Sequence, residues 1–171
     1  SSFVTICAGE VYILGTDTFS TTGVYMSTLQ NRFGCDSLVM LNLTILPPIS
    51  TALTNTICAG DTVFVGASAY SSTGVYTDTL TSFFNCDSIV TLDLTVVTVG
   101  VSIAPPGVLT CQQTSELLNA TAATTLGTLS YQWTTVGGHF IGSTTGPTAN
   151  VDDPGTYIVT VVSTGCSAAD T

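Results

Sequence analysis

The run Cys35-Asp36-Ser37-Leu38-Val39-Met40-Leu41-Asn42-Leu43-Thr44 recurs 51 residues later as Cys86-Asp87-Ser88-Ile89-Val90-Thr91-Leu92-Asp93-Leu94-Thr95. In both copies apolar residues alternate with mostly polar ones. One face carries Val39, Leu41, Leu43 and Ile45 in the first copy, and Val90, Leu92, Leu94 and Val96 in the second. A period of two predicts a strand with one buried face, so each copy is expected to contain a long β-strand here.

The similarity extends outward from these strands to Ile6–Leu46 and Ile57–Val97, where 20 of 41 aligned positions are identical without a gap. We therefore predict two copies of one small β-module, at residues 1–48 and 49–99. Pro47-Pro48 ends the first copy, and an extended proline pair is typical of a semi-rigid spacer. The turn signals include Gly15, Gly23 and the run 31–34.

Residues 100–171 fall outside the repeat and open with Pro105-Pro106-Gly107. Trp133 on a central strand and Tyr157 in an Asp-Pro-Gly-Thr-Tyr corner are typical of an immunoglobulin-like (Ig-like) sandwich, although Val159 stands where such domains have their second core cysteine. We predict an all-β chain of tandem small β-sandwich (Ig-like) modules in an elongated array. The third is an Ig-like or PKD-like β-sandwich at 100–171.

Charged residues are scarce: the chain has one cation, Arg32, and eleven carboxylates, and its formal net charge is -10. Nucleic-acid binding needs clustered Lys and Arg, so this composition argues against it. Attraction to anionic membranes is disfavoured for the same reason. No apolar run reaches the length of about 18 residues that a membrane helix needs. The absence of an initiator Met and of a signal-peptide pattern leads us to expect a mature protein or a segment of a longer one.

The even set of cysteines favours disulfides and hence an oxidising, extracellular compartment. Closely spaced pairs of the zinc-knuckle kind are lacking, and there is a single histidine, which disfavours zinc. Of 15 possible pairings, repeat symmetry favours Cys7 with Cys35 and Cys58 with Cys86, each closing a loop of 28 residues. Each would stabilise its module by roughly 3 to 4 kcal/mol. Cys111 and Cys166 remain as the third expected pair.

Catalytic chemistry finds little support. His139 lies in a Gly-Gly-His-Phe run that reads as a turn, and the carboxylates form no acid and base pair. Asp152-Asp153 is the sole adjacent acidic pair, without a calcium-loop pattern. Five aromatic residues could form a sugar-stacking platform, but most of them occupy strand positions that suit a core: Tyr12, Phe19, Tyr25, Phe33 and Trp133. We predict no catalytic residues, no bound metal and no cofactor.

The runs Ile-Cys-Ala-Gly-Asp/Glu, Thr-Gly-Val-Tyr and Cys-Asp-Ser-Ile/Leu-Val, followed by the Leu-Asn/Asp-Leu-Thr strand, resemble repeats of long secreted surface proteins of Bacteroidota. Those proteins are similar to gliding-motility-associated adhesins and other cargo of the type IX secretion route. The Tyr-Gln-Trp and Pro-Gly-Thr-Tyr runs are similar to the PKD-like or Ig-like modules that accompany such repeats. The resemblance implies display at the cell surface and no defined activity.

The resemblance also implies O-glycosylation at Asp followed by Ser or Thr, with candidates Ser37, Ser88, Thr62 and Thr79. Attached sugars would keep the surface hydrated although it carries few charges. The same dipeptides are also ordinary turn chemistry. Asn42 and Asn119 stand in Asn-x-Thr sequons, which are weaker candidates because bacteria seldom use them.

Three functions remain open. The first is a structural part of an extracellular fibre, filament or surface stalk. It would polymerise with copies of itself, or join neighbouring modules of one long chain, by strand addition at edges such as Ser2 to Ile6. The second is an adhesin or carbohydrate-binding module, and the third is an accessory stretch of a large secreted enzyme.

Overall fold

The computed structural model describes residues 1–30, 33–82 and 85–171. They form strands and connecting turns, without a helix in these ranges. The strands in chain order are β1 (Ser2–Cys7), β2 (Tyr12–Leu14), β3 (Asp17–Phe19), β4 (Gly23–Gln30), β5 (Asp36–Leu46), β6 (Ile49–Cys58), β7 (Val63–Val65), β8 (Ser68–Tyr70), β9 (Gly74–Thr81), β10 (Asp87–Val97), β11 (Val99–Ile103), β12 (Glu116–Thr124), β13 (Ser130–Val136), β14 (Phe140–Ile141), β15 (Thr148–Val151), β16 (Thr156–Ser163) and β17 (Cys166–Asp170).

The chain divides into two compact units. Unit 1 comprises Ser1–Thr54, Val65–Ser68 and Val75–Asp93, and unit 2 comprises Asn55–Phe64, Ala69–Gly74 and Leu94–Thr171. The second repeat contributes residues to both. The module boundaries drawn from the sequence stay a prediction.

The first repeat forms a three-stranded sheet in the order β1-β5-β4, with the short hairpin β2-β3 beside it. β5 lies in the middle and is parallel to β1 and antiparallel to β4. Its alternating pattern buries Leu41 and Leu43 and leaves Met40 and Thr44 exposed. The period-two prediction is confirmed for this strand, and its copy β10 likewise buries Leu92 and Leu94.

The second repeat has the same sheet order, β6-β10-β9, and the same small hairpin, β7-β8. Side-chain bonds recur at equivalent positions. The Ile45 N–H donates to the Thr22 hydroxyl at 2.9 Å, and 51 residues later the Val96 N–H donates to the Thr73 hydroxyl at 2.8 Å. These bonds explain the repeated Thr-Gly-Val-Tyr run, because its threonine caps the end of the central strand.

One recurring bond exchanges its two partners. In the first repeat the Ser27 hydroxyl donates to the Asp17 carboxylate at 2.7 Å. In the second repeat the serine stands at the other position, and the Ser68 hydroxyl donates to Asp78 at 2.7 Å. Since the bond survives although both residues are replaced, the two repeats share a fold at the level of side-chain contacts.

Residues 99–171 in unit 2 form two facing sheets, β11-β12-β15-β14 and β13-β16-β17. Trp133 is 1% exposed and packs in one cluster with Leu118, Val159 and Val161. The Tyr157 hydroxyl donates to the Asp153 carbonyl at 2.5 Å and thus forms the tyrosine corner that the sequence predicts. The all-β, Ig-like fold class is therefore confirmed. The predicted turn at 31–34 lies partly outside the described residues.

Candidate functional site: two disulfide joints

A disulfide joins Cys7 of the first repeat to Cys86 of the second, with 5.3 Å between the Cα atoms. We call this bridge and the turns around it the first joint; both cysteines belong to unit 1. Cys7 ends β1 and opens a tight turn, in which the Glu10 N–H donates to the Cys7 carbonyl at 3.1 Å. Gly9 has φ +92°, a conformation that side chains disfavour, which explains why both copies keep glycine there.

The Glu10 carboxylate accepts the Cys7 N–H at 2.8 Å and so fixes the turn from its other side. On the opposite side of the bridge, Asn85 adopts φ +63°, and its N–H donates to the Ser82 carbonyl at 2.9 Å. The Ser82 hydroxyl accepts the Cys86 N–H at 3.2 Å. Both half-cystines are therefore flanked by residues that form local hydrogen bonds.

A cavity of about 330 Å³ adjoins the first joint and is lined by Cys7, Glu10, Thr79, Asp87 and Ile89, among others. It carries two carboxylates and no cation among its lining residues. No group of three or more His, Cys, Asp or Glu side chains in the described ranges is placed to hold a metal ion. The geometry here is that of a covalent joint.

The second joint, in unit 2, links Cys58 of the second repeat to Cys166 of the Ig-like segment, with 5.4 Å between Cα atoms. Its turn matches that of the first joint: the Asp61 N–H donates to the Cys58 carbonyl at 3.0 Å, and Gly60 has φ +98°. Cys166 begins β17 directly after the tight turn at Thr164 and Gly165, and it is buried.

The pairing predicted from repeat symmetry is wrong, because the sheet separates the predicted partners. The parallel register sets Cys7 beside Leu46, at the end of β5, whereas Cys35 precedes the start of that strand. Eleven residue positions at about 3.3 Å each separate the two ends by about 35 Å. A disulfide needs Cα atoms closer than about 7 Å. Cys7 therefore bonds with the next repeat.

The expected Cys111 to Cys166 pair is wrong for a related reason. The Asp170 carboxylate accepts the Ile103 N–H at 2.7 Å, which sets the end of β17 beside the end of β11 and lowers the pKa of Asp170. Cys166, at the start of β17, lies toward the beginning of β11, whereas Cys111 lies in the loop after its end. Cys35 and Cys111 belong to neither bridge, and both are exposed.

The glycosylation candidates occupy different surroundings. Ser37, Thr62, Thr79 and Asn119 are exposed, whereas Ser88 and Asn42 are half-buried. The Ser88 hydroxyl donates to the Ile49 carbonyl at 3.5 Å. Their modification stays a prediction.

His139 lies on the surface between β13 and β14, and its Nδ1 is 2.6 Å from the Asp152 carboxylate. The hydrogen bond and the charge of Asp152 raise the pKa of the imidazole above 6.5. Both side chains are accessible to solvent, and the Tyr157 hydroxyl is hydrogen-bonded to the backbone N–H and carbonyl of His139. Among the five aromatics considered for sugar binding, Trp133 is buried, Tyr12, Phe19 and Tyr25 are half-buried, and Phe33 is exposed.

Sequence reasoning missed the residues that shape the joints, above all Glu10, Ser82 and Asn85. A signal for the turns was present, since Cys-Ala-Gly followed by an acidic residue occurs in both repeats. Acidic side chains after such a turn commonly accept backbone N–H groups. The left-handed residue before the second cysteine was also readable, because Gly34 and Asn85 both tolerate positive φ.

No helix in the described part of the chain is long and apolar enough to cross a membrane. No family model matches the chain. No curated protein matches it. Among solved structures it is similar to the crystal structure of the N-terminal eight Ig domains of Down syndrome cell adhesion molecule, isoform 1.30.30, with TM-score 0.46 and 9% sequence identity. That alignment covers 94% of this chain and 36% of the other, so the chain spans about a third of that structure's length.

Proposed function

We propose that the chain is a non-catalytic structural segment of a secreted cell-surface fibre, filament or stalk. The observation that carries this proposal is the stagger of the two disulfides. Each bridge joins a cysteine of one segment to a cysteine of the next segment: Cys7 to Cys86, and Cys58 to Cys166. A bridge within one module would stabilise that module alone, whereas these bridges join consecutive segments covalently.

The two loops overlap, because Cys58 lies between Cys7 and Cys86 in the sequence. Tension applied at the two ends therefore passes through both disulfides, and residues 8–57 and 87–165 are protected from being drawn out. Such cross-linking suits a part that transmits force. The bridges also favour an oxidising compartment outside the cytosol.

Other features support the same role. The surface carries few charges and many Ser and Thr hydroxyls, which is compatible with attached sugars at Ser37, Thr62 or Thr79. The resemblance of the repeat motifs to those of secreted Bacteroidota surface proteins supports surface display. Self-association by strand addition remains part of the proposal, with the β1 edge as its candidate, since β1 is the outer strand of its sheet and Phe3 on it is 79% exposed.

The experiment is immunogold electron microscopy of the producing cells with an antibody raised against the purified chain. We expect gold in rows along thin extracellular fibres, and no label after absorption of the antibody with the pure protein. Label confined to the cytoplasm, or scattered as single soluble molecules in the medium, would contradict the structural role.

An adhesin is the second candidate, and exposed aromatic rings favour it. Phe3 and Phe64 present most of their side chains to solvent, at 79% and 69% exposure. Aromatic faces stack on sugars and other flat ligands. Saturable binding on a glycan array that Phe3→Ala or Phe64→Ala removes, and that Val136→Ala leaves unchanged, would establish this role.

A further inference from the structure

One face of the sheet β1-β5-β4 in unit 1 presents large apolar side chains to solvent. Successive side chains of a strand point to opposite faces of its sheet, so alternate residues of the three strands share this face. Five of them are apolar, and we call them the outer apolar face: Phe3, Val24, Met26, Leu38 and Met40, with exposures of 79, 62, 66, 65 and 43%.

The strand register places these five residues side by side. Met26 on β4 pairs with Met40 on β5. Two positions further along β5, Asn42 pairs with Phe3 on one side and with Val24 on the other. The fifth member precedes Met40 by two positions on the same strand. Since neighbouring strands lie about 4.8 Å apart, the five side chains form one continuous patch.

The second repeat keeps the fold but replaces most of this patch by polar residues. At the positions equivalent to Phe3, Met26 and Met40 it has threonine each time. The buried leucines of the central strand are the same in both copies. The fold of a repeat therefore does not require an apolar outer face. Both methionines of the chain lie on this face, and methionine side chains adapt readily to a partner surface.

We propose that the outer apolar face packs against the same face of a second copy of this chain. At roughly 150 to 200 Å² for each fully exposed side chain, the five together expose about 500 to 600 Å², which is large for a patch on a single chain. Two such faces would bury about 1,000 to 1,200 Å² before any residue at the rim is counted, and a specific interface needs about 1,000 Å².

The chemistry of the face fits a second copy. Its centre is neutral, because Asn42 stands where the second repeat has Asp93, and the carboxylate of Asp36 lies at one end. Two chains that each carry a net charge of -10 repel one another, so they associate best through a surface free of carboxylates. Salt screens the repulsion that remains, and pairing should therefore strengthen as the ionic strength rises.

A contact between identical faces has two-fold symmetry and closes after two chains. It joins chains side by side, in contrast to strand addition at a sheet edge. The inference rests on the proposed structural role and deepens it, because a fibre of paired chains needs a lateral contact as well as contacts along its length.

The two methionines provide a direct readout. Labelling of their methyl groups with carbon-13 gives two NMR signals, and both report on the outer apolar face. When the unaltered full-length chain is concentrated, we expect both signals to shift together. The mean mass in sedimentation equilibrium should rise toward that of a dimer over the same range of concentration.

Met26→Thr combined with Met40→Thr should weaken the dimer at least about a hundredfold, since each dimer then loses four buried methionine side chains. The second repeat carries threonine at both equivalent positions, so we expect the variant to fold, and its thermal melting checks this.

Val24 and Val75 supply a matched control, because they are exposed valines at equivalent positions of the two repeats. Val24→Thr should weaken the dimer at least about tenfold, whereas Val75→Thr should change its dissociation constant by less than about twofold.

A chain that stays monomeric, with unshifted methyl signals, would overturn the proposal. A dimer that the two methionine substitutions leave unchanged would overturn it as well, and so would a dimer that survives denaturation without reductant. Methyl signals that shift with phosphatidylcholine vesicles and not with protein concentration would assign the face to a lipid surface instead. Labelled extracellular fibres together with a monomeric chain would refute the paired face and leave the structural role standing.

Discussion

Reduction of the two disulfides should increase the maximum end-to-end length of the chain under force about fourfold. The protein would be pulled from Ser1 and Thr171 in an optical trap, in a Cys35→Ser and Cys111→Ser background that prevents cross-linking. With both bridges intact, the shortest covalent path runs from Ser1 to Cys7 and across to Cys86. It then returns along the chain to Cys58, crosses to Cys166 and ends at Thr171.

This path contains six, 28 and five residue steps, about 39 in all, and two bridges of 5.3 and 5.4 Å between Cα atoms. At about 3.4 Å per residue the fully drawn chain reaches about 140 Å. After reduction all residues extend, and the same calculation gives about 580 Å. The limit is set by covalent connectivity alone, so it holds whether or not a variant folds.

Variants that lack one bridge give separate limits. Without Cys7 and Cys86 the path runs along the chain to Cys58 and across the second bridge, which gives about 215 Å. Without Cys58 and Cys166 it gives about 315 Å. In this background the repeat-internal pairing expected from symmetry keeps only Cys58 with Cys86, and it would let the unreduced protein reach about 490 Å. A limit near that value in the protein with all four bridge cysteines would refute the staggered arrangement.

Two further predictions concern unit 2. The pKa of His139, followed by NMR, should lie above 6.5 because of Asp152, and Asp152→Asn should return it toward 6.5. Because the folded-state pKa is raised, the pair stabilises the fold fully below about pH 6.5, and this contribution is lost as the pH rises through the folded-state pKa. Trp133→Phe should lower the free energy of unfolding in urea by about 2 to 3 kcal/mol, since it opens a gap and leaves the Gly146 carbonyl without its indole donor. Val136→Ala, at a 70% exposed position of the same strand, should change it by less than about 0.5 kcal/mol. An unshifted His139, or equal losses for the two β13 variants, would contradict these assignments.

Much of the fold could be predicted from the sequence, because the strands and the tyrosine corner have local sequence patterns. The alternation through Leu41 and Leu43 predicted the central strand, and the 51-residue repeat predicted its copy. Trp133 and Tyr157 predicted the Ig-like sandwich through a buried indole and a hydroxyl that returns to the backbone. Each of these signals lies within a few residues of the structure that it predicts.

The disulfide pairing could not be predicted from the sequence, since the symmetry of the repeat permits two pairing schemes. Pairing Cys7 with Cys35 is compatible with the 51-residue repeat, because Cys58 and Cys86 can pair in the same way. Pairing the first cysteine of each repeat with the second cysteine of the following segment is equally compatible with it. The parallel register of β1 on β5 decides between them, because it places Cys7 at the far end of that strand from Cys35. Parallel pairing of distant segments leaves no local signal in the sequence.

The most direct test of the staggered joints is peptide mapping of the native protein without reduction. Digestion at low pH, where thiol exchange is slow, should release one peptide pair that contains Cys7 with Cys86 and another that contains Cys58 with Cys166. Both pairs should disappear on reduction. Recovery of Cys7 linked to Cys35, or of Cys111 linked to Cys166, would contradict the account.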